Sequence, residues 1–377
     1  MVRGFNVRMT SFCPAFQKSL VIEPNKTVSV CCSDITRMLD TKLNDVDSLK
    51  DFFYNSEKYK EVRHASETVA LKDFAPCVAC HRSENGFWSE MNTFKTWRFP
   101  HDDPSEVSLK YFEVTTSNIC KQSCVMCSPL YSSTHAKLAG KLGSISFMND
   151  EDLKKVFEIL PDITRLNLKG GEPFADQNNL KILNELYRVN NKMIEITIIS
   201  NGNDISDKFK KCLSQFDPNV FDISFSLDGL GKLYEWQRGS PFDKSYDTIN
   251  TFYEETRIPY SIQNTVTVYT WPTLLETYKE YCESFLGLRR VNSSNIVWDP
   301  SCMSPGLYPQ NYIDEVVEKI MEFDDKYEGV YHVKSGLDKI KTERKPKVLK
   351  AYHNKTNKWN KIRKIKIEDV VPELSMI

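Results

Sequence analysis

No stretch of this chain approaches the apolar length of a membrane span, and neither sign of charge is in excess. A spanning helix needs about 20 apolar residues in succession, so no membrane partner is expected. Lys and Arg number 50 against 51 Asp and Glu, a formal net charge of −1. Such a balance gives no general electrostatic case for a nucleic-acid partner. The N-terminal run Met1-Val2-Arg3-Gly4-Phe5-Asn6 lacks the apolar core of a secretory signal. A cytoplasmic, reducing location is therefore the expectation, and there the 11 cysteines do not read as a disulfide framework.

What is present is an ordinary soluble composition, 40% hydrophobic and 27% charged over 377 residues. That length allows two domains, or one large α/β domain with an appendage. The cysteines are distributed unevenly. Cys13, Cys31, Cys32, Cys77, Cys80, Cys120, Cys124 and Cys127 all precede residue 128, which points to metal rather than random core use. Cys212, Cys282 and Cys302 are isolated and read as ordinary buried thiols.

Cys120, Cys124 and Cys127 form C-x3-C-x2-C in one short loop. Three thiolates so spaced can hold three irons of a cubane cluster and leave the fourth without a protein ligand, unlike ordinary four-thiolate clusters. Partial zinc ligation, or reduced thiols in a core, would use the same residues.

Around this loop the chain falls into three regions. Residues 1–100 carry the other early cysteines and show little βα rhythm, and Pro100, Asp102, Asp103 and Pro104 read as a linker. From about 105 to 300, strands alternate with helices. Strands are expected at 111–114, 163–168, 194–199, 220–227, 261–268 and 290–297. A helix from about Asp150 would bury Leu153, Val156, Phe157 and Leu160, and a second would bury Leu180, Leu183 and Tyr187. Alternation of this kind implies parallel pairing through βαβ units, and six units imply a partial (β/α)6 barrel, TIM-like but open. Residues 301–377 complete the chain. Their last part, 331–377, carries 13 Lys and Arg against five Asp and Glu, a bias that could meet an acidic partner or RNA. Ile362, Ile365, Ile367, Val370 and Val371 are too apolar for a disordered arm, so a solvated face on a packed terminal helix is expected.

Chemistry in such folds collects at the carboxyl ends of the strands. After the second strand comes Lys169-Gly170-Gly171-Glu172-Pro173, where two glycines let backbone approach a ligand and Glu172 offers an acceptor for an ammonium. After the third comes Ser200-Asn201-Gly202, suited to ribose hydroxyls. After the fourth comes Ser224-Phe225-Ser226-Leu227-Asp228-Gly229. The blander reading of each is a turn.

Taken in order, these motifs resemble the radical S-adenosylmethionine enzymes over about Leu109 to Pro300. The resemblance implies a [4Fe–4S] cluster on Cys120, Cys124 and Cys127, with S-adenosylmethionine chelating the open iron. Reductive cleavage would give a 5′-deoxyadenosyl radical that abstracts hydrogen from substrate. It further implies that Gly170, Gly171 and Glu172 meet the methionine amino group and that Asn201 lies near the ribose. Ser226 and Asp228 match the peptide- and sugar-modifying branch, and Arg238 is a candidate partner for the methionine carboxylate. The family usually has an aromatic residue before the third cysteine; here it is Met126, apolar and polarizable enough to pack on adenine. An electron donor such as a flavodoxin or ferredoxin is implied as well.

The remaining early cysteines make a second set. Cys77-Val78-Ala79-Cys80 is a metal half-site, and with Cys13 and one of Cys31 and Cys32 it offers four sulfurs for zinc or for a fully ligated [4Fe–4S] cluster. Residues Cys13 to Gly86, including a helix with Tyr59 and Arg63, resemble the twitch domain, the shorter relative of the SPASM domain. It is a cysteine-rich α+β module that here precedes the barrel. Adjacent strand residues face opposite sides, and counting from the hairpin favours Cys31. That resemblance implies an auxiliary [4Fe–4S] cluster. Structural zinc at this site, or a non-catalytic electron-transfer module, are the other readings. Peptide, sugar and nucleotide substrates stay open, with peptide or carbohydrate favoured by the family.

Overall fold

The computed structural model of the chain describes residues 13–31, 34, 36–68, 103, 105–141, 147–189, 194–326, 337 and 339–377. Nine strands run through it: β1 (Ser19–Ile22), β2 (Thr27–Ser29), β3 (Thr41–Lys42), β4 (Tyr111–Thr115), β5 (Arg165–Lys169), β6 (Glu195–Ser200), β7 (Phe221–Ser226), β8 (Tyr260–Val266) and β9 (Leu288–Ile296). Their hydrogen-bonded order is β3-β2-β1-β4-β5-β6-β7-β8-β9. From β4 onward that order is also the chain order, and the pairs β4–β5, β7–β8 and β8–β9 are parallel. All six expected strands are present within about three residues of their predicted ends. The fold is α/β, with parallel strands.

By contacts the chain divides into two compact units, Met1–Ser117 with Ser146–Gly170 and Lys181–Ile196, and Asn118–Ile145 with Gly171–Leu180 and Thr197–Ile377. In the first unit, β1 lies parallel beside β4, with Val21 opposite Glu113, while β2 and β3 continue antiparallel. The N-terminal region thus adds three strands that hydropathy did not signal. The helix Glu57–Thr68 holds them: Tyr59 Oη donates to the Ser19 carbonyl at 2.6 Å. The Arg63 guanidinium sits 4.4 and 4.2 Å from the Phe53 and Tyr59 ring centres and donates to the Phe16 and Phe53 carbonyls. Burying that cation works because two of its N–H groups meet carbonyls and two aromatic rings cover it.

The helix Asp150–Ile159 begins where expected. Asn149 and Asp152 exchange side-chain-to-backbone bonds in a capping box, and Asp150 and Glu151 complement the first turn. Its buried face is Leu153, Val156 and Ile159, with Phe157 only half-buried. The helix Gln177–Arg188 differs more from expectation. Ile182, Leu183 and Leu186 are buried, while Tyr187 is 48% exposed. The buried face is displaced by one position from the expected one, and Leu180 is half-buried.

In the second unit, β7 alternates buried Phe221, Ile223 and Phe225 with half-buried Asp222, Ser224 and Ser226. The terminal helix Pro346–Arg363 is packed, burying Tyr352, Thr356 and Trp359, and its lysines lie mainly on the exposed side. Ile367 and Val371 are buried beyond it. Of the three isolated cysteines, Cys212 and Cys302 are buried as expected, but Cys282 is exposed.

Candidate functional site

The cysteine loop leaves β4 and is fixed almost entirely through its backbone. Asn118 O accepts from Ser133 N at 2.8 Å, and the Cys120 carbonyl accepts from the Ser133 and Thr134 hydroxyls at 3.0 and 2.8 Å. Cys120 N donates to Ser133 Oγ, and Ser132 Oγ donates to the Gln122 carbonyl. Val125 N donates to the Gln237 carbonyl, and Cys127 N to that of Cys124, each at 2.9 Å. The Gln122 amide reaches Tyr234 Oη and Ser240 Oγ. A short hydroxyl-rich segment, Ser132-Ser133-Thr134, thus serves as a template for the loop.

The glycines of the second strand end permit a close approach of backbone to backbone. A Cβ on Gly170, whose φ is +142°, would lie 2.8 Å from the Ser117 carbonyl oxygen. One on Gly171 would lie 2.4 Å from Ile119 O and 2.6 Å from Asn118 O. The close approach they permit is to the chain's own cysteine loop. Glu172 N then donates to Ile119 O at 2.7 Å.

Glu172 is buried. Its Oε1 accepts from Ser200 Oγ at 2.7 Å and Phe174 N at 3.1 Å, and its Oε2 accepts from Asn201 N at 2.7 Å. Burial pushes its carboxyl up to about 7, against the pull of those three bonds. Two carboxylate oxygens offer about four lone-pair sites, so one remains for a further donor.

Asn201 and Arg238 converge on the thiols. Asn201 Nδ2 donates to Cys120 Sγ at 3.6 Å, and Arg238 Nη1 donates to Cys124 Sγ at 3.7 Å. Asp228 is fully buried. Its Oδ1 accepts from Thr265 N at 2.6 Å, and its Oδ2 lies 2.5 Å from Arg238 Nε. Ser226 is half-buried at the end of β7, and Met126 is half-buried between the second and third cysteines. Cys120 and Cys124 are buried and Cys127 half-buried. Burial raises the Cys120 thiol to about 12 and the Cys127 thiol to about 11, with Cys124 adding to both. Among the described residues no three His, Cys, Asp or Glu side chains converge as one metal ion would require. A cubane does not require it, since each thiolate takes its own iron. The loop fits a cluster on another count: two N–H donors already point at ligand sulfurs.

Arg363 was not singled out in the sequence. From the end of the terminal helix its Nε donates to the Trp236 carbonyl at 2.9 Å, and Nη1 and Nη2 donate to Ser123 Oγ at 2.9 Å and Ser123 O at 2.5 Å. It lies over the Trp359 ring at 4.7 Å. Gly239, at φ +78°, makes room: a Cβ there would stand 2.6 Å from the guanidinium carbon. Nothing local marks Arg363 among 13 basic residues of residues 331–377.

Of the second cysteine set, Cys13 is buried and Cys31 half-buried, both in the first unit. The single Ser19 hydroxyl proton is shared between the carbonyls of Ala15 and Val30, both within hydrogen-bond reach of Oγ, which sets the segment after Cys13 beside the one before Cys31. Cys32, Cys77 and Cys80 lie outside the described residues.

No family model matches the chain, and no curated protein matches it. Solved structures do. One of anSMEcpe with bound AdoMet aligns at a TM-score of 0.44 and 21% identity, over 59% of this chain and 63% of that one. Streptococcus suis SuiB bound to S-adenosylmethionine aligns at 0.44 and 16%, over 72% and 59%. SuiB bound to precursor peptide SuiA aligns at 0.41 and 16%, over 59% and 48%. The chain spans less than two thirds of the length of these proteins.

Proposed function

We propose that the chain is a radical S-adenosylmethionine enzyme whose Cys120, Cys124 and Cys127 hold a [4Fe–4S] cluster. The observation that carries this reading is the loop: three thiols in eight residues, fixed by backbone bonds, two of them already receiving N–H donors. The cofactor, when bound, supplies one-electron cleavage of S-adenosylmethionine to a 5′-deoxyadenosyl radical for hydrogen abstraction. The chain's part is to bind and orient. Glu172 keeps one acceptor site for the methionine ammonium, and Gly171 holds that carboxylate's strand end against the loop. Met126 is proposed to pack on adenine and Ser226 to line the cofactor site, and both are half-buried. Asn201 and Asp228 are held by bonds within the chain, Asn201 at Cys120 and Asp228 at Thr265 and Arg238, so they shape the site rather than reach freely into it.

The substrate is proposed to be a peptide or a carbohydrate-like molecule, and the electron donor a flavodoxin- or ferredoxin-type protein. A second, auxiliary [4Fe–4S] cluster on Cys13, Cys31, Cys77 and Cys80 is proposed for the N-terminal region. The adjacency that Ser19 creates between the Cys13 and Cys31 segments supports it.

Anaerobically reconstituted protein with dithionite should convert S-adenosylmethionine to 5′-deoxyadenosine and methionine. Replacing Cys120, Cys124 and Cys127 together by alanine should abolish the conversion. Persistence of cleavage in that variant would sink the assignment.

A further inference from the structure

Arg238 has a role that its expected pairing with a methionine carboxylate does not describe. Its guanidinium is buried, its Nε lies 2.5 Å from Asp228 Oδ2, and its Nη1 donates to Cys124 Sγ at 3.7 Å. Asp228 cannot turn away, because Oδ1 is held by Thr265 N at 2.6 Å and the residue is fully buried. The arginine's own backbone is fixed too. The helix Gly231–Arg238 ends at once on Gly239 in the left-handed region, and the preceding residue, Gln237, accepts from Val125 N inside the cysteine loop. One helix end therefore fixes both the loop backbone and the donor aimed at its central sulfur.

We propose that Arg238, locked by Asp228, is an outer-sphere donor whose N–H···S bond to the Cys124 thiolate raises the reduction potential of the cluster. This rests on the radical-enzyme reading above. Adding an electron increases negative charge on the cluster sulfurs, and a donor already pointing at one of them strengthens as that charge grows. The net charge of the Asp228–Arg238 pair is zero, so its long-range field largely cancels. What remains is a short, directional bond to one ligand, and the planar fork of arginine lets it serve the carboxylate and the sulfur at once.

The test is an EPR-monitored redox titration of the reconstituted protein without S-adenosylmethionine, comparing it with the double variant Asp228→Asn, Arg238→Gln. The two changes together leave no unpaired buried charge and keep the net charge around the cluster constant, so any shift reports the lost donor. At a potential where half of the parent cluster is reduced, the reduced-to-oxidised ratio in the variant should fall by about tenfold, equivalent to a midpoint about 59 mV lower. Arg238→Lys keeps both charges but loses the fork, and its midpoint should fall in the same direction. It carries the measurement should the double variant fail to hold iron. An unchanged midpoint overturns the proposal. So does an unchanged midpoint with weakened S-adenosylmethionine binding, which would return Arg238 to the cofactor carboxylate. If the parent protein forms no cluster, the radical-enzyme reading itself fails, a result separate from either.

Discussion

The two cysteine-bearing regions solve the problem of gathering thiolates in opposite ways. Cys120, Cys124 and Cys127 are neighbours in sequence, and the chain spends its hydrogen bonds on their backbone, drawing on Ser133, Thr134, Gln237 and Arg363. Cys13, Cys31, Cys77 and Cys80 are spread across the first 80 residues. Gathering four distant ligands closes long loops, at an entropic cost that a metal offsets when it binds. On the proposed function the first region is a scaffold into which a cluster would be placed; in the second, on the auxiliary-cluster proposal, the metal would be part of the scaffold. That contrast separates a site where metal removal leaves the fold standing from one where it does not.

The largest expected effect breaks the comparison at its weaker side. Replacing Cys77 and Cys80 together should halve the iron, from about eight to about four per chain, while some reductive cleavage of S-adenosylmethionine survives. Turnover of the true substrate should be lost. Stoichiometric zinc in protein purified without air would instead make the second site structural. Circular dichroism on the variant checks whether the N-terminal fold outlasts its ligands.

A smaller effect tests the stronger side. Arg363→Ala removes three charge-assisted bonds to the Trp236 and Ser123 backbone and the Ser123 hydroxyl. Each such bond contributes about 1.5–3 kcal/mol when dry. Because Arg363 is only half-buried, a total loss of about 2 kcal/mol in urea unfolding is expected. Iron should leave to a chelator several-fold faster, and Arg363→Lys should not restore retention, since an ammonium cannot span three acceptors in one plane. Equal chelation rates in all three proteins would show that the loop stands without the terminal helix.

The same contrast explains what the sequence disclosed. The six strands of the β4–β9 run, the cysteine loop and the strand-end motifs were legible because each is local: a hydrophobic run, a spacing, a turn. The pairing of β1 beside β4 was not, since the strand is four residues long and its partner lies some 90 residues on. The purpose of Gly170 and Gly171 was half legible. Their sequence announced a close approach, but only the fold identified Ser117, Asn118 and Ile119 as what is approached. Arg363 was hidden by its surroundings, one cation among many, distinguished by Ser123, Trp236 and Gly239 brought to it from other segments. For Asn201 and Arg238, which the strand-end motifs and a charge argument had singled out, composition could not say that a cysteine sulfur lies within reach of each side-chain donor.

The smallest effect concerns Glu172, which joins the second strand end to the loop. Its carboxyl lies at about 7 rather than the ordinary 4.5, because burial disfavours the anion more than its three hydrogen bonds favour it. Between those two values the folded chain keeps a proton that the unfolded chain has released. Stability should therefore fall as pH rises through that window and level off above about 7.5. The sign is the reverse of the usual salt-bridged carboxylate. Glu172→Gln removes the titration but sets an amide N–H₂ against one of three donors, so it should be less stable throughout. Its deficit relative to the parent should shrink as pH rises from 5 to 8. Urea unfolding of both cluster-free proteins at intervals of one pH unit measures this. A deficit that stays constant would mean that Ser200, Phe174 and Asn201 hold Glu172 ionised across the range. Its lone pairs would then be ready for an ammonium at every pH tested.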